Sequence, residues 1–386
     1  MILKRAIVIL LSVFSVLSVF SQNDSCSLKI SLLTCGPGED LYSIWGHTAI
    51  RVKVKNSGAD IIFNYGTFDF EDPDFYKKFT LGKLLYYVSA EDFQQFMYEY
   101  QMENRSVIEQ DLNLSCEEQQ RLFDALRTNA QEENKYYQYE FLFDNCSTRP
   151  RDIITKNNDD SVRFKRIIPL DAPTFRNMIH VNLDQSKQYW SKFGIDLVLA
   201  SRIDRKVKNE EAMFLPDYLM KGFDSAVANN KGLVLNKRVI LQNVPVEVQS
   251  KSILTPLFTT LGLLAIGILI TFGRYSWSKK AADIFDVGYF LLLGLMGCFM
   301  LFMWFGTDHE LCRDNYNILW AFPPHLVMSF FVLKKTRFTR IYFAVTAAIA
   351  LLVVVSWKLL PQELNIAFLP LILLAGLRAS QRAMKK

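Results

Sequence analysis

Five apolar segments follow one another near the end of the chain, at about 253–272, 286–305, 316–333, 341–357 and 363–379. An α-helix needs roughly 20 residues to cross a hydrocarbon core; each segment comes near that length, the third and fourth only marginally. Five such runs in succession fit poorly as core helices of a soluble protein. They predict a helical membrane domain over residues 251–386, since a chain in lipid must satisfy its own backbone polar groups. The connecting charges set the direction. Arg274, Lys279 and Lys280 join segments one and two, KKTRFTR joins three and four, and Arg378, Arg382, Lys385 and Lys386 follow the fifth. These three stretches share one side, which the positive-inside rule makes the cytoplasm. TDHELCRDN and KLLPQE then face outward. Five crossings from an exported domain end in a cytoplasmic C-terminus.

Charged residues are 22% of the chain, too many for a wholly embedded protein, so a soluble part must account for the rest. At the N-terminus Lys4 and Arg5 precede an apolar stretch from Ala6 to Phe20, and Val19-Phe20-Ser21 suits cleavage before Gln22. Residues 1–21 are expected to be a signal peptide rather than an uncleaved anchor, because the apolar stretch is short. Polar Gln22 to Ser25 separate Cys26 from that stretch and argue against a lipid anchor there. Residues 22–250 are then a periplasmic domain. Apolar helices point to the inner membrane, since outer-membrane spans are usually barrels. The net charge of +5 sits mostly beside apolar runs, where topology explains it, so no nucleic-acid partner is expected. A Walker loop and a dinucleotide glycine fingerprint are both lacking in the sequence.

The exported part mixes both periodicities. Residues 28–34 read as a strand, His47 to Lys55 alternates as another, and Asn56-Ser57-Gly58 turns into a third over Ile61 to Tyr65. Helices are expected over 71–80, 91–102, 149–156 and 172–182, and over 116–129, where Ser115 with Glu118 makes a capping box. A strand precedes that box over Ser106 to Leu112, and 236–250 reads as a strand-rich linker. The fold class is α+β.

Two residue settings carry chemistry. His47 opens a strand after Gly46, and Cys146 lies in Asp144-Asn145-Cys146-Ser147-Thr148, where a helix begins. A thiol at a helix N-terminus gains from the positive end of the dipole, and an imidazole nearby would complete an activated nucleophile. The plainer alternatives are a disulfide of Cys146 with Cys35 or Cys116, and a hydrogen-bonded core role for His47. No cysteine or histidine spacing suits a structural metal, and no cofactor is expected.

Longer runs sharpen this. A Gly-His strand followed about a hundred residues later by Asn-Cys at a helix start resembles the circularly permuted papain-like fold, which includes lecithin:retinol acyltransferase-like and NlpC-type enzymes. SLLTCGPGEDLYSIWGHTAIRV (31–52), FNYGTFDF (63–70), FLFDNCSTRPRD (141–152), GIDLVLASRID (194–204), MFLPDYL (213–219) and TDHELCRDNYNILWAFPPHL (307–326) together resemble the Lnb-type lipoprotein N-acyltransferases of Bacteroidota. The resemblance implies transfer of an acyl chain from a phospholipid donor to the α-amino group of a diacylated lipoprotein acceptor at the membrane. It makes Cys146 the nucleophile and His47 the base and then acid. Asn64 is the first candidate to orient His47 and Asp69 the second. The Cys146 N–H is expected to serve the oxyanion. Arg149 and Arg151 are candidates for a lipid phosphate. Asp308, His309, Asn315 and Asn317 are candidates for head-group or amine positioning at the outer surface. Tyr42, Trp45, Tyr65, Phe68, Phe70 and Phe75 could line an acyl groove or pack as ordinary core. Trp320 reads as an interfacial anchor and His325 as a residue facing the bundle interior. Two competing readings are a membrane-bound cysteine hydrolase (peptidase, amidase or phospholipase) on the same fold, and a non-enzymatic envelope protein.

Overall fold

A computed structural model describes residues 26–159, 161–244, 254–273 and 276–384. The expected signal peptide at 1–21 and most of the linker before the first apolar segment lie outside the described residues.

The exported domain is built on a seven-stranded antiparallel sheet. Its strands are β1 (Leu28–Cys35), β2 (His47–Val54), β3 (Asp60–Thr67), β4 (Leu85–Asp92), β5 (Val107–Leu112), β6 (Tyr136–Gln138) and β9 (Val234–Leu241), in the spatial order β6-β4-β3-β2-β1-β5-β9. A separate two-stranded ribbon pairs β7 (Val227–Ala228) with β8 (Lys231–Gly232). Period-2 alternation divides the side chains of the large sheet. Leu32, Ile50, Val52, Phe63 and Tyr65 pack toward α3 (Cys116–Asn129), α4 (Thr148–Lys156) and α7 (Pro216–Ser225). Leu33, Cys35, Ala49 and Ile62 pack toward α2 (Phe93–Met102) with Phe96 and Tyr100. Both faces are therefore covered, and each fully buried aliphatic side chain contributes about 1.5–3 kcal/mol. On the second face Arg51 is buried. It is satisfied by a fork onto Asp60 at 2.7 and 2.6 Å and by Glu109 at 3.2 Å.

The capping box at Ser115 and Glu118 starts α3 as the sequence signals. The first residue of α3 is tied by a disulfide to Cys26, so Cys35 and Cys146 are both free thiols. Two local expectations differ from the structure. Residues 85–92 form strand β4, and helix α2 starts only at Phe93, where Asp92 caps it by accepting from Gln94 N–H. Helix α1 (Phe75–Leu81) starts four residues later than expected, because Asp69 and Asp72 hold the preceding backbone in turns by accepting from Glu71 and Asp74 N–H.

The C-terminal domain is helical. It holds α8 (Pro256–Phe272), α9 (Ser276–Phe305), α11 (Arg337–Val355) and α12 (Phe368–Met384). By length and apolar composition α9, over Lys279–Phe305, and α11 can cross a membrane among the described residues. The third apolar segment is not one helix. It breaks into 3₁₀ turns at Tyr316–Leu319 and Ser329–Phe331 around the short α10 (His325–Met328). Pro323 and Pro324 supply no N–H donors, which interrupts any continuous ladder there. His325 faces the bundle interior and meets the Tyr342 hydroxyl at 2.6 Å. Arg378 and Arg382 are not free tail charges. Both are buried and converge on the fully buried Asp286 of α9, and Arg378 also donates to Thr271 of α8. This ionic knot ties α8, α9 and α12.

The two domains are stapled through α5 (Phe175–Gln185) and α6 (Tyr189–Val198). Asp196 is fully buried and accepts from Arg176, His180 and Asn365. Asn317 Nδ2 donates to the Asp196 carbonyl at 2.9 Å, and Asn315 Nδ2 to that of Leu197 at 2.7 Å. Arg202 bridges to Glu310 and Asp314 of the outer loop.

Candidate active site

Strand β2 places His47 beside Cys35 of β1, at the end of the sheet. Gly46, just before it, has φ of +82°, and a Cβ there would stand 2.6 Å from the Cys35 carbonyl oxygen. Only glycine allows that approach. Strand β3 runs alongside and carries Asn64, then bulges between Tyr65 and Thr67. At this irregularity Gly66 has φ of +93°, a backbone conformation that favours glycine, and it passes alongside Cys146, whose Cβ would lie at ordinary contact distance, 3.5 Å, from a Cβ at that position. The two glycines thus set the backbone at the sheet end on which His47 lies and past which Cys146 packs.

The turn that carries Cys146 is fixed by its neighbours. Asn145 is buried; its Oδ1 accepts from the N–H groups of Ser147 and Thr148, and its Nδ2 donates to Phe141 and Phe214 carbonyls. Asn145 therefore fixes the turn that leads into α4 with its side chain, and Cys146 sits just before the helix, whose N-cap is Ser147. The Thr48 hydroxyl meets that of Ser147 at 3.2 Å, which ties this turn to β2 one residue from His47.

Asn64 meets the imidazole directly. Its Oδ1 lies 2.6 Å from His47 Nε2, and its Nδ2 donates to Glu91 Oε1 at 2.9 Å. With the amide nitrogen committed to a carboxylate, the amide oxygen must face the ring, so Nε2 carries a proton. The other ring nitrogen, Nδ1, is left as the basic atom. Glu91 is not evident from the sequence; it reaches Asn64 because β4 pairs with β3, and strand β4 itself carries no clear sequence signal. Asp69 plays no part here, its carboxylate accepting from Glu71 N–H in an exposed turn.

Charges at this site are suppressed by their surroundings. Burial pushes the Cys146 thiol up to about 11, although Thr48 N–H, Ser147 and its own N–H, then Arg105, pull it back. The sequence predicts the reverse, a thiol lowered by the helix dipole; desolvation outweighs it. Burial likewise takes His47 down to about 4, against its bond to Asn64. At neutral pH the pair therefore rests as neutral thiol and neutral imidazole.

His47, Asn64 and Cys146 open into a cavity of about 980 Å³. One wall is the outer loop of the membrane domain, from Asp308 to Arg313. That loop is docked: Asp308 N–H donates to the Leu81 carbonyl at 2.8 Å, and His309 Nε2 meets that of Phe79 at 3.1 Å. Tyr42, Trp45 and Phe68 also line the cavity. Tyr65 and Phe75 are core residues, while Phe70 is exposed and stacks edge-on against Phe68. Four other candidates lie outside the cavity lining. Arg149 forks onto Asp144 over the Tyr137 ring, and Arg151 is held by Asp152 and the Glu210 carbonyl. Asn315 and Asn317 are the buried interdomain staples, and Trp320 is buried, donating to Asn317 rather than anchoring at an interface. The buried cation in the cavity wall is Arg105, which lies just ahead of β5, away from every motif. Among the described residues no three His, Cys, Asp or Glu side chains converge as a metal site.

The architecture is that of a membrane protein whose α+β domain holds a thiol, an imidazole and an amide at its junction with a helical bundle. Comparison with family models places it: residues 18–179 match the Lnb N-terminal periplasmic domain, and residues 248–385 match the Lnb transmembrane domain. The chain belongs to the Lnb family. No curated protein and no solved structure matches it.

Proposed function

We propose that this protein is a lipoprotein N-acyltransferase of the inner membrane. Its α+β domain lies in the periplasm and its C-terminus in the cytoplasm. The observation that carries this reading is the position of Cys146, His47 and Asn64 in a cavity walled by the outer loop of the membrane domain. A soluble substrate needs no such wall; a phospholipid and a lipid-anchored acceptor both reach it from the bilayer.

The chemistry runs in two steps. The Cys146 sulfur attacks the ester carbonyl of a phospholipid as its proton passes to His47 Nδ1. The C–S bond forms, the ester C–O bond breaks, and the imidazolium returns the proton to the leaving alkoxide, releasing a lysophospholipid. The α-amino group of a diacylated lipoprotein then attacks the thioester. Its proton passes to His47 and on to the departing thiolate, so an amide replaces the C–S bond and the thiol is restored. Asn64, held by Glu91, occupies Nε2 and so leaves Nδ1 as the ring nitrogen free to take and return the proton. Because the thiol rests neutral, attack is coupled to proton transfer rather than drawn from a standing thiolate.

The test is mass spectrometry of lipoprotein N-terminal peptides from cells where this protein is the sole N-acyltransferase. Triacylated peptides with the unaltered protein, lost with Cys146→Ala and with His47→Ala at equal protein levels, are expected. Diacylated peptides throughout would overturn transfer. Acyl release to water without acceptor would favour a hydrolase.

A further inference from the structure

Arg105 is the odd residue of the cavity. It is only 6% exposed, yet one of its donors has no use. Its Nε donates to the Gly36 carbonyl at 2.9 Å and its Nη1 to Glu103 at 2.7 Å, and the guanidinium lies 4.6 Å from the Tyr100 ring centroid. Nη2 is buried with no partner. A buried cation with an idle donor is costly unless something else fills the place. Two carboxylates, Glu99 and Glu103, line the same end of the cavity, and the Glu103 side chain is half exposed.

This charge order, one cation flanked by two acids, has a sign pattern. A guanidinium takes a phosphate oxygen well. The acids would repel an anionic head group, and they gain only if the ligand also carries a cation. We propose that Arg105, Glu99 and Glu103 form a head-group subsite for a zwitterionic phosphoethanolamine lipid. Arg105 Nη2 donates to the phosphate, and the carboxylates accept from the ammonium. The inference rests on the acyl-donor reading and adds the donor class to it. It also gives the head group an anchor of its own on the cavity wall, which leaves the ester to the thiol.

The experiment uses the full-length protein in proteoliposomes of phosphatidylethanolamine, phosphatidylglycerol or phosphatidylcholine with identical acyl chains, and a synthetic diacylated lipopeptide as acceptor. The unaltered protein is expected to favour phosphatidylethanolamine over phosphatidylglycerol by roughly tenfold or more in kcat/KM, the discrimination of one charged hydrogen bond. Arg105→Gln removes such a bond and is expected to raise the donor KM about tenfold or more. Arg105→Gln could instead unfold the site. The double variant E99Q/E103Q guards against that, since it is expected to collapse the donor ratio to within about threefold as the ammonium loses its charged acceptors. Iodoacetamide labelling of Cys146 at the unaltered rate reports an intact site. A donor ratio unchanged in E99Q/E103Q, or equal rates from all three lipids with the unaltered protein, overturns the subsite alone. Transfer from none of them overturns the function and the subsite with it.

Discussion

Alkylation of Cys146 at graded pH tests whether its thiol and the neighbouring imidazole rest neutral, because the rate follows the thiolate fraction. An ordinary cysteine near 9 is about 1% thiolate at pH 7, by the usual titration relation. With Cys146 at about 11, that fraction drops to roughly one in ten thousand, about a hundredfold less. Burial disfavours the charged form, so thiolate appears only as pH rises toward 11. The assay is the rate of iodoacetamide modification of Cys146, read by peptide mass spectrometry in detergent-solubilised protein from about pH 5 to 10, with C146A as blank. The expected curve rises about tenfold per pH unit through the whole range, with no shoulder. A plateau of fast labelling between about pH 5 and 8 would reveal a standing thiolate–imidazolium pair and refute the neutral resting state. Site-resolved readout matters because Cys35 is a free, buried thiol in the same domain, itself pushed up to about 12 by burial.

Other outcomes follow from the same geometry. His47 is lowered to about 4, so it stays unprotonated and basic above about pH 5; the acid limb of kcat/KM is expected near pH 4–5, and a limb near 6.5 would contradict the burial argument. Asn64→Ala removes the acceptor for Nε2–H and orphans Glu91, and a loss of about ten- to a hundredfold in transfer is expected with labelling of Cys146 retained. Unchanged transfer would remove Asn64 from the site. Replacing Cys26 and Cys116 with serine opens a loop closed over a separation of 90 residues and is expected to cost about 2–4 kcal/mol of stability, measured by urea unfolding of the exported domain. An unmoved urea midpoint would show that the disulfide adds nothing to the fold.

Much of this site is legible in the sequence, and the limits of that reading are physical. His47 and Asn64 lie in strands whose own periodicity sets where they point, and strand pairing and the Asn145 turn that carries Cys146 do the rest. Arg149 and Arg151 draw attention because they follow Cys146 in the chain, but helix α4 turns them onto Asp144, Asp152 and Tyr137. Glu91 and Arg105 stay invisible because they reach the site only through a strand pairing and a folded corner. Strand β4 is hidden for a related reason. LYYVSAED carries exposed and half-buried side chains on both faces, and only Val88 is buried, so no clean period-2 signal survives. Its hydrogen bonds, not its side chains, place it in the sheet. In the third apolar segment, composition measures length but cannot weigh the two prolines.

The ionic knot at Asp286 sets an order of assembly. Helix α9 leaves the ribosome well before its partners on α12, with Arg378 at sequence separation 92 from Asp286. Until α12 arrives, the carboxylate has no guanidinium, and a lone charge inside a bundle is costly by several kcal/mol, on the order of that for any unpaired buried ion. The arginines are equally poor membrane residues without it. Biogenesis therefore closes from its far end: the last helix acts as a lock on the bundle, and a chain cut short before Arg378 leaves α8 and α9 unfastened, however well the exported domain has folded.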